Sequence, residues 1–348
     1  MRIYGIGKLR RATKWLRKRF KTKGLVLMYH SINEWGSDPW SLSVTPSHFA
    51  EHLEVIWKYG RPILLNQLVE TLRWGNLSHR TIAVTFDDGY ADNLYNAKPL
   101  LERYDVPATV FLTTGQIGCE SEFWWDELDK IFLQPGTLPE TLHLRINGNS
   151  YEWKLGDKAS YGEDEYRCNS DLRAWDGEIS PRHFIYYSLW QLLRPLPEEK
   201  QRELLGEVLT WAGAEPVARS THRSLTFKEM LDLAKGELIE IGSHTVTHPV
   251  LPVLSEAAQR DEIQQSKAYL MDALNRNVTS FSYPHGEYTA GTVAIVREAG
   301  FRCACTTDND IFLGHTNYFQ LPRVQVEDWD GEEFARRLSG WFGDPSDE

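Results

Sequence analysis

Three short clusters hold most of the residues able to do chemistry: Thr85-Phe86-Asp87-Asp88-Gly89, Ser243-His244-Thr245-Val246-Thr247-His248, and Phe281-Ser282-Tyr283-Pro284-His285-Gly286. Adjacent carboxylates at a strand end point in different directions, so Asp88 can bind a metal ion while Asp87 accepts a proton from bound water. Asp-Asp-Gly on its own is also a common turn or helix cap. His244 and His248 can meet one ion if their loop makes a single helical turn, although a histidine pair alone is ambiguous. Combined, two imidazoles and one carboxylate leave positions open for water and a carbonyl oxygen, as catalytic zinc does. Non-haem iron accepts the same donors, so ligand type does not separate the two metals.

The clusters matter because of where they fall. Short runs rich in Val, Ile, Leu and Phe alternate with helical patterns, the signature of βα units and a mostly parallel sheet. Strands are expected near residues 25–29, 62–65, 81–86, 108–113, 238–242, 279–283, 301–306 and 320–326, and seven or so would close an α/β barrel. Each cluster follows such a strand, where side chains converge at the barrel mouth. Helix punctuation agrees: Thr45-Pro46 reads as an N-cap followed by the first helical residue, Gly60 as a left-handed C-terminal residue, and Ser255 as the cap of a helix over 256–274.

Between the strand ending at Thr113 and the helix opening at Thr226 lie about a hundred residues more than one crossover needs. We divide the chain into an arm (1–24), a barrel (25–118 and 223–340) and an insertion (119–222). Within the insertion, Asn147-Gly148 between two apolar runs predicts a hairpin with a type I′ turn, and a helical stretch follows over 181–211. Leaving from the C-terminal end of a strand, the insertion should cover the active-site face. Trp124, Trp125 and Asp126 open it; flat indoles suit sugar contact, and equally suit packing of an insertion onto a barrel.

The chain has 348 residues, 41% of them hydrophobic, and a formal charge of -11. An acidic surface repels a phosphate backbone, which argues against nucleic-acid binding. The arm departs from this balance with ten Lys and Arg and no acid. Ile6, Leu9, Thr13, Leu16 and Phe20 recur at helical spacing, so the arm reads either as an amphipathic helix adsorbing to an anionic membrane surface or as a solvated terminus. It lacks the apolar run of a secretory signal, so a cytoplasmic location, peripheral at the inner face of the membrane, is expected. Cys119, Cys168, Cys303 and Cys305 fit no zinc-ribbon spacing; Cys303 and Cys305 read as same-face residues of a buried strand, and the thiols are expected to be reduced.

The three motifs, in this order, resemble those of the polysaccharide deacetylases, the nodulation-type chitooligosaccharide deacetylase homology domain of carbohydrate esterase family four. The likeness runs over roughly residues 25–326, much of the insertion excepted, and implies an α/β fold of the distorted (β/α)7 barrel type. It implies that Asp87 is the catalytic base, that Asp88, His244 and His248 hold a divalent metal, most simply Zn2+, and that Tyr283-Pro284-His285-Gly286 supplies a backbone N–H to the oxyanion. Two departures stand out. Ser282 occupies the place of the Arg that usually orients the base, and the usual late Leu-x-His, source of the general acid, is missing.

Each has a physical substitute. Leu27-Met28-Tyr29-His30 ends the first strand as the missing motif would, and the first and last strands of a closed barrel are neighbours, so His30 can serve as the acid. Members resembling biofilm poly-N-acetylglucosamine deacetylases are rearranged in this way. Arg323, on the closing strand, can orient Asp87; the alternatives are a core histidine and a structural ion pair. His285 and His315 can approach the site or satisfy local hydrogen bonds. The function this implies is metal-dependent removal of an N-acetyl group from an amino sugar in a glycan. The rival readings are a deacylase or deformylase of a lipid-linked or small sugar, and a degenerate carbohydrate-binding domain.

Overall fold

The structure, a computed structural model, describes residues 23–78, 80–176, 180–313 and 316–343. The basic arm up to Thr22, and His315, lie outside the described residues. In chain order the elements used below are β1 (Lys23–Tyr29), α1 (Pro46–Tyr59), β2 (Arg61–Pro62), α2 (Leu65–Arg73), β3 (Thr81–Phe86), α3 (Lys98–Tyr104) and β4 (Ala108–Leu112). Next come α4 (Trp124–Phe132), β5 (Thr141–Ile146), β6 (Asn149–Lys154), α5 (Pro181–Leu193), α6 (Glu198–Ala212), α7 (Phe227–Leu233) and β7 (Ile239–Ser243). The chain finishes with α8 (Glu256–Leu274), β8 (Ser280–Ser282), α9 (Ala290–Glu298), β9 (Cys303–Cys305), β10 (Phe312–Leu313), β11 (Val324–Gln325) and α10 (Gly331–Phe342).

Strands β9, β8, β7, β4, β3 and β1 lie side by side and parallel. The sheet then curls onto itself. Val324 and Gln325 of β11 pair in parallel with Leu27 and Met28 of β1, while Leu321, just upstream, bridges Cys305 of β9. One segment therefore touches both edges, and the result is a distorted (β/α) barrel of seven parallel strands, to which the two-residue β2 adds in parallel along the start of β3. Strand β10 runs antiparallel along the start of β1, an addition that a two-residue apolar pair does not announce in sequence.

Alternation along the strands sorts side chains into two layers. Leu25, Leu27, Tyr29, Val84, Phe86, Val110, Phe281 and Tyr283 meet the outer helices in one apolar cluster. Val26, Ala83, Phe111, Cys303, Cys305 and Leu321 face the barrel interior with Leu65, Leu68, Val69 and Leu72 of α2. The apolar run 62–65 accordingly splits, with Arg61–Pro62 as a short strand and Leu65 starting α2.

Capping works as the residue types dictate: the Thr45 and Ser255 hydroxyls accept from the His48 and Ala258 N–H groups. Gly60 differs from expectation. It is extended (φ -153°) rather than left-handed, and glycine is needed because a Cβ there would lie 2.7 Å from the Arg80 carbonyl and against Ile82. Residues of α4, β5, β6, α5 and α6 form a core of their own. The hairpin turn has positive φ at Asn147 (50°) and Gly148 (82°), as type I′ requires. Helix 181–211 is broken into α5 and α6, since Pro195 and Pro197 cannot continue an α-helical ladder.

Candidate active site

Strand β3 ends in Phe86, and the chain turns at Asp88 (φ 72°) and Gly89 (φ 85°). Aspartate tolerates this left-handed conformation better than most residues, and at Gly89 a Cβ would sit 2.6 Å from Leu112. Both carboxylates line the cleft, Asp87 held by Arg323 and Asp88 beside His244 and His248.

Arg323 grips Asp87 from the closing strand. Its guanidinium is fully buried and donates Nη1 to Asp87 Oδ1 (2.7 Å) and Nη2 to Oδ2 (2.6 Å). Its remaining donors go to the Thr306 carbonyl (2.9 Å), Thr85 Oγ1 (3.2 Å) and Ser282 Oγ (2.8 Å). Ser282 in turn donates to Asp87 Oδ2 at 3.2 Å. Serine thus stands where the motif usually carries arginine, and a guanidinium arriving from another strand fills the space. Burial alone would raise the Asp87 pKa, but Arg323 and the neighbouring imidazoles hold its carboxyl well below the usual range.

Asp88, His244 and His248 are buried, and one donor atom from each lies within 4.8 Å of the others. Asp88 Oδ1 is 3.5 Å from His244 Nε2 and 3.4 Å from His248 Nε2, the spacing of donors that share one ion at about 2.0–2.1 Å. His244 Nδ1 lies 2.8 Å from the Ser282 carbonyl, which fixes the tautomer with the Nε2 lone pair free. Asp88 Oδ1 and His248 Nδ1 are buried without a hydrogen-bond partner. Burial, reinforced by Asp87, pushes the Asp88 pKa up, while burial lowers both histidines, so the set is short of a positive charge. These residues fit a divalent cation.

The loop joining the histidines is not the helical turn that i, i+4 spacing suggests. Thr245 (φ 68°) and His248 (φ 60°) are left-handed, and Thr245 Oγ1 accepts from the His248 N–H at 3.1 Å. Glu262 of α8 clamps the loop, accepting from Val246 N (2.8 Å), Thr247 N (2.9 Å) and Thr247 Oγ1 (2.8 Å). In sequence Glu262 is one acid among many on an amphipathic helix, and nothing local marks it.

His30, just beyond β1, lines the same cleft, a cavity of about 250 Å³ that also touches Asp87, Asp88, His244, His248 and His285. Its carbonyl accepts from Asn93 Nδ2 (2.8 Å), and Asp92 accepts from Ser31 Oγ (2.7 Å) and Ile32 N (3.0 Å). The chain just after the Asp-Asp-Gly turn therefore fixes the segment carrying His30. Burial, then Arg323 and His244, bring the His30 pKa down to about 4 against the opposing pull of Asp87, so its ring is neutral at pH 7.

His285 adopts φ 56° in the turn after β8, with its ring 4.5 Å from that of His248. Pro284 is buried beside it. The Tyr283 side chain points the other way, into the outer core, with its hydroxyl donating to the Phe319 carbonyl at 3.0 Å. Strand alternation sends Ser282 inward and Tyr283 outward, so only the Tyr283 backbone belongs to the site. Asp126 is also absent from the cleft wall: it is buried and accepts from Tyr90 OH at 2.7 Å, and Tyr90 accepts from Trp125 Nε1 at 3.2 Å. Asp126 therefore supports Trp125, which does line the cleft. Trp40, Trp190, Arg194 and Gln325 line it too, unannounced by any motif.

Residues 75–136 and 217–304 match the polysaccharide deacetylase family. Over those two segments the chain is similar to that family. The gap in the match falls within the stretch read as an insertion, and His30 and Arg323 lie outside both matched segments. The Bacillus subtilis (strain 168) deacetylase relative YxkH is 30% identical over 139 residues, 38% of this chain and 48% of that protein, so the match spans about half the length of this relative. Two solved deacetylase structures share the fold. Streptococcus pyogenes deacetylase PplD, in complex with acetate, is 19% identical, covers 91% of this chain and 99% of its own, and superposes with a TM-score of 0.56. IcaB from Ammonifex degensii is 16% identical, with coverage of 92% and 97% and a TM-score of 0.56.

Proposed function

We propose that this chain hydrolyses the N-acetyl group of an amino sugar in a polysaccharide or glycoconjugate, using a divalent metal held by Asp88, His244 and His248. The observation that carries the reading is the convergence of those three buried donors beside an Asp87 kept ionised by Arg323. When bound, the ion supplies a Lewis acid for the acetyl carbonyl and lowers the pKa of water. Asp87 accepts a proton from the attacking water. The His285 backbone N–H, turned by its left-handed φ, is assigned to the oxyanion.

His30 completes the cycle. Neutral at rest, it receives from Asp87 the proton taken from water and delivers it to the sugar nitrogen as the C–N bond breaks, leaving Asp87 ionised and giving a free amine and acetic acid, which ionises to acetate. An intact ligand set, base and histidine pair speak against a degenerate binding domain. The basic arm supports peripheral association with anionic lipid at the cytoplasmic face, checked by sedimentation with phosphatidylserine vesicles.

The test of the activity is acetate release from N-acetylglucosamine oligosaccharides, with the amine product weighed by mass spectrometry. Release should stop on chelation, return with Zn2+, and be absent in Asp88→Asn. Release that survives both treatments would sink the metal-dependent reading; trials of Zn2+, Co2+, Mn2+ and Fe2+ rank the metals.

A further inference from the structure

The cleft wall opposite the barrel continues outward as a row of aromatic rings. Trp125 lies 4.9 Å from His248, centroid to centroid, and Trp190 lies 6.3 Å from both His285 and Trp124. Trp40 follows at 4.3 Å from Trp190, and Trp175 at 6.0 Å from Trp40. Trp175 is 57% exposed. The row therefore leads from solvent to the metal-ligating histidines, and it joins the 33–45 loop of the barrel to helices of the insertion.

Its members are held in place rather than loosely collected. Trp40 Nε1 donates to Tyr186 OH at 2.7 Å, and the Tyr187 ring lies parallel to Trp190, 12° between planes. Polar groups border the rings. The Arg194 guanidinium sits 5.0 Å from the Trp190 centroid, and its Nε is buried without a partner. Thr307 and Gln325 line the same cleft.

We propose that this row is a saccharide track, on which pyranose rings of a chain at least three residues long stack over Trp175, Trp40 and Trp190. The innermost residue presents its acetamide to Asp88, His244 and His248, and Arg194 Nε donates to a hydroxyl of the track-bound sugar. The C–H face of a pyranose complements an indole face, and its hydroxyl rim needs donors and acceptors beside it. An aliphatic carrier has no use for flat rings or for a guanidinium at their edge. The proposal rests on the deacetylase reading only for which end of the glycan is acted on.

Binding of β-1,4- and β-1,6-linked N-acetylglucosamine oligosaccharides of one to four residues, measured by calorimetry on chelated protein, tests the track without turnover. Affinity should rise with length in at least one series. Trp175→Leu, which keeps apolar area and loses the flat face, should bind the tetrasaccharide about threefold to tenfold more weakly, and Trp175→Phe should recover most of the loss. Trp57→Leu, at an exposed position on α1, controls for surface apolarity.

Affinity independent of length in both series overturns the track. So does wild-type binding by Trp175→Leu, the result an aliphatic occupant predicts. Length-dependent, Trp175-dependent binding without acetate release would instead count against the proposed activity and leave the track standing.

Discussion

At the barrel mouth, Asp87, Arg323, Ser282 and Thr85 are joined by charge-assisted and neutral hydrogen bonds within a fully buried group. On the facing wall, Trp40, Trp125, Trp190 and Tyr187 touch mainly ring to ring, with single hydrogen bonds at Trp40 and Trp125. The first arrangement is intolerant: each donor has one acceptor, and removing a member strands a buried charge. The second tolerates substitution, because apolar contact is non-directional and falls off by increments. Chemistry that moves a proton needs the former, and recognition of a repeating ligand is served by the latter.

Arg323→Ala should break that contrast most sharply. It leaves Asp87 buried beside Ser282 without its cation, at a cost of about 3–5 kcal/mol. A fall of that size in the unfolding free energy from urea titration, with turnover lost, is expected. Arg323→Lys should not restore turnover, because one ammonium cannot satisfy both carboxylate oxygens. Wild-type stability and rate in Arg323→Ala would mean that the pair carries neither fold nor base. The sign with pH follows from the lowered Asp87 pKa. The stabilisation is present above the unfolded carboxyl pKa and is lost only as pH falls below it toward the depressed folded value, so the stability gap between wild type and Arg323→Ala should narrow in strong acid.

His30→Ala is next in size. A positioned proton donor contributes roughly 10²-fold to 10⁴-fold, so turnover should drop by that factor while metal content, read by elemental analysis, stays at one ion per chain. A mutant with an unchanged rate would return His30 to a packing role. Glu262→Gln should act more mildly. It keeps the shape but weakens the charge-assisted bonds to Val246 N and Thr247 N, so metal affinity should fall about 10–100-fold by competition with a chelating dye, with little change in melting temperature.

These residues also mark how far sequence reading reaches. Strand-end clusters were visible because periodicity and residue chemistry are local, and the substitutes His30 and Arg323 could be sought because barrel closure fixes which strands are neighbours. Direction was harder. Tyr283 and Asp126 carry suitable chemistry, but strand alternation turns one into the outer core and a hydrogen bond from Tyr90 turns the other into a support for Trp125. Glu262, Asn93 and the cleft face of Trp190 were out of reach, since each acts on a residue distant in the chain. The His244–His248 loop shows the same limit: spacing implied a helical turn, and two left-handed residues with a carboxylate clamp produce the convergence instead.

The smallest effect should come where the two regions meet. Arg194, at the end of α5, pairs with Glu287, which follows the Pro284–Gly286 turn, so one ion pair ties the aromatic wall to the loop assigned to the oxyanion. The Glu287 side chain is 43% exposed, and a pair wet on one side is worth about 0–1 kcal/mol, so Glu287→Gln should shift the melting temperature by no more than roughly 2–4 °C. Its kinetic signature should be selective. Freed from Glu287, the Arg194 guanidinium can shift from its place over Trp190, disturbing how the glycan lies along the wall while leaving Asp87, Arg323 and the metal donors untouched. KM should therefore rise about twofold to fivefold at unchanged kcat, the pattern of lost uniform binding. An equal fall in kcat at constant KM would place the ion pair with the oxyanion loop instead, and the boundary between intolerant mouth and tolerant wall would move outward to include Arg194.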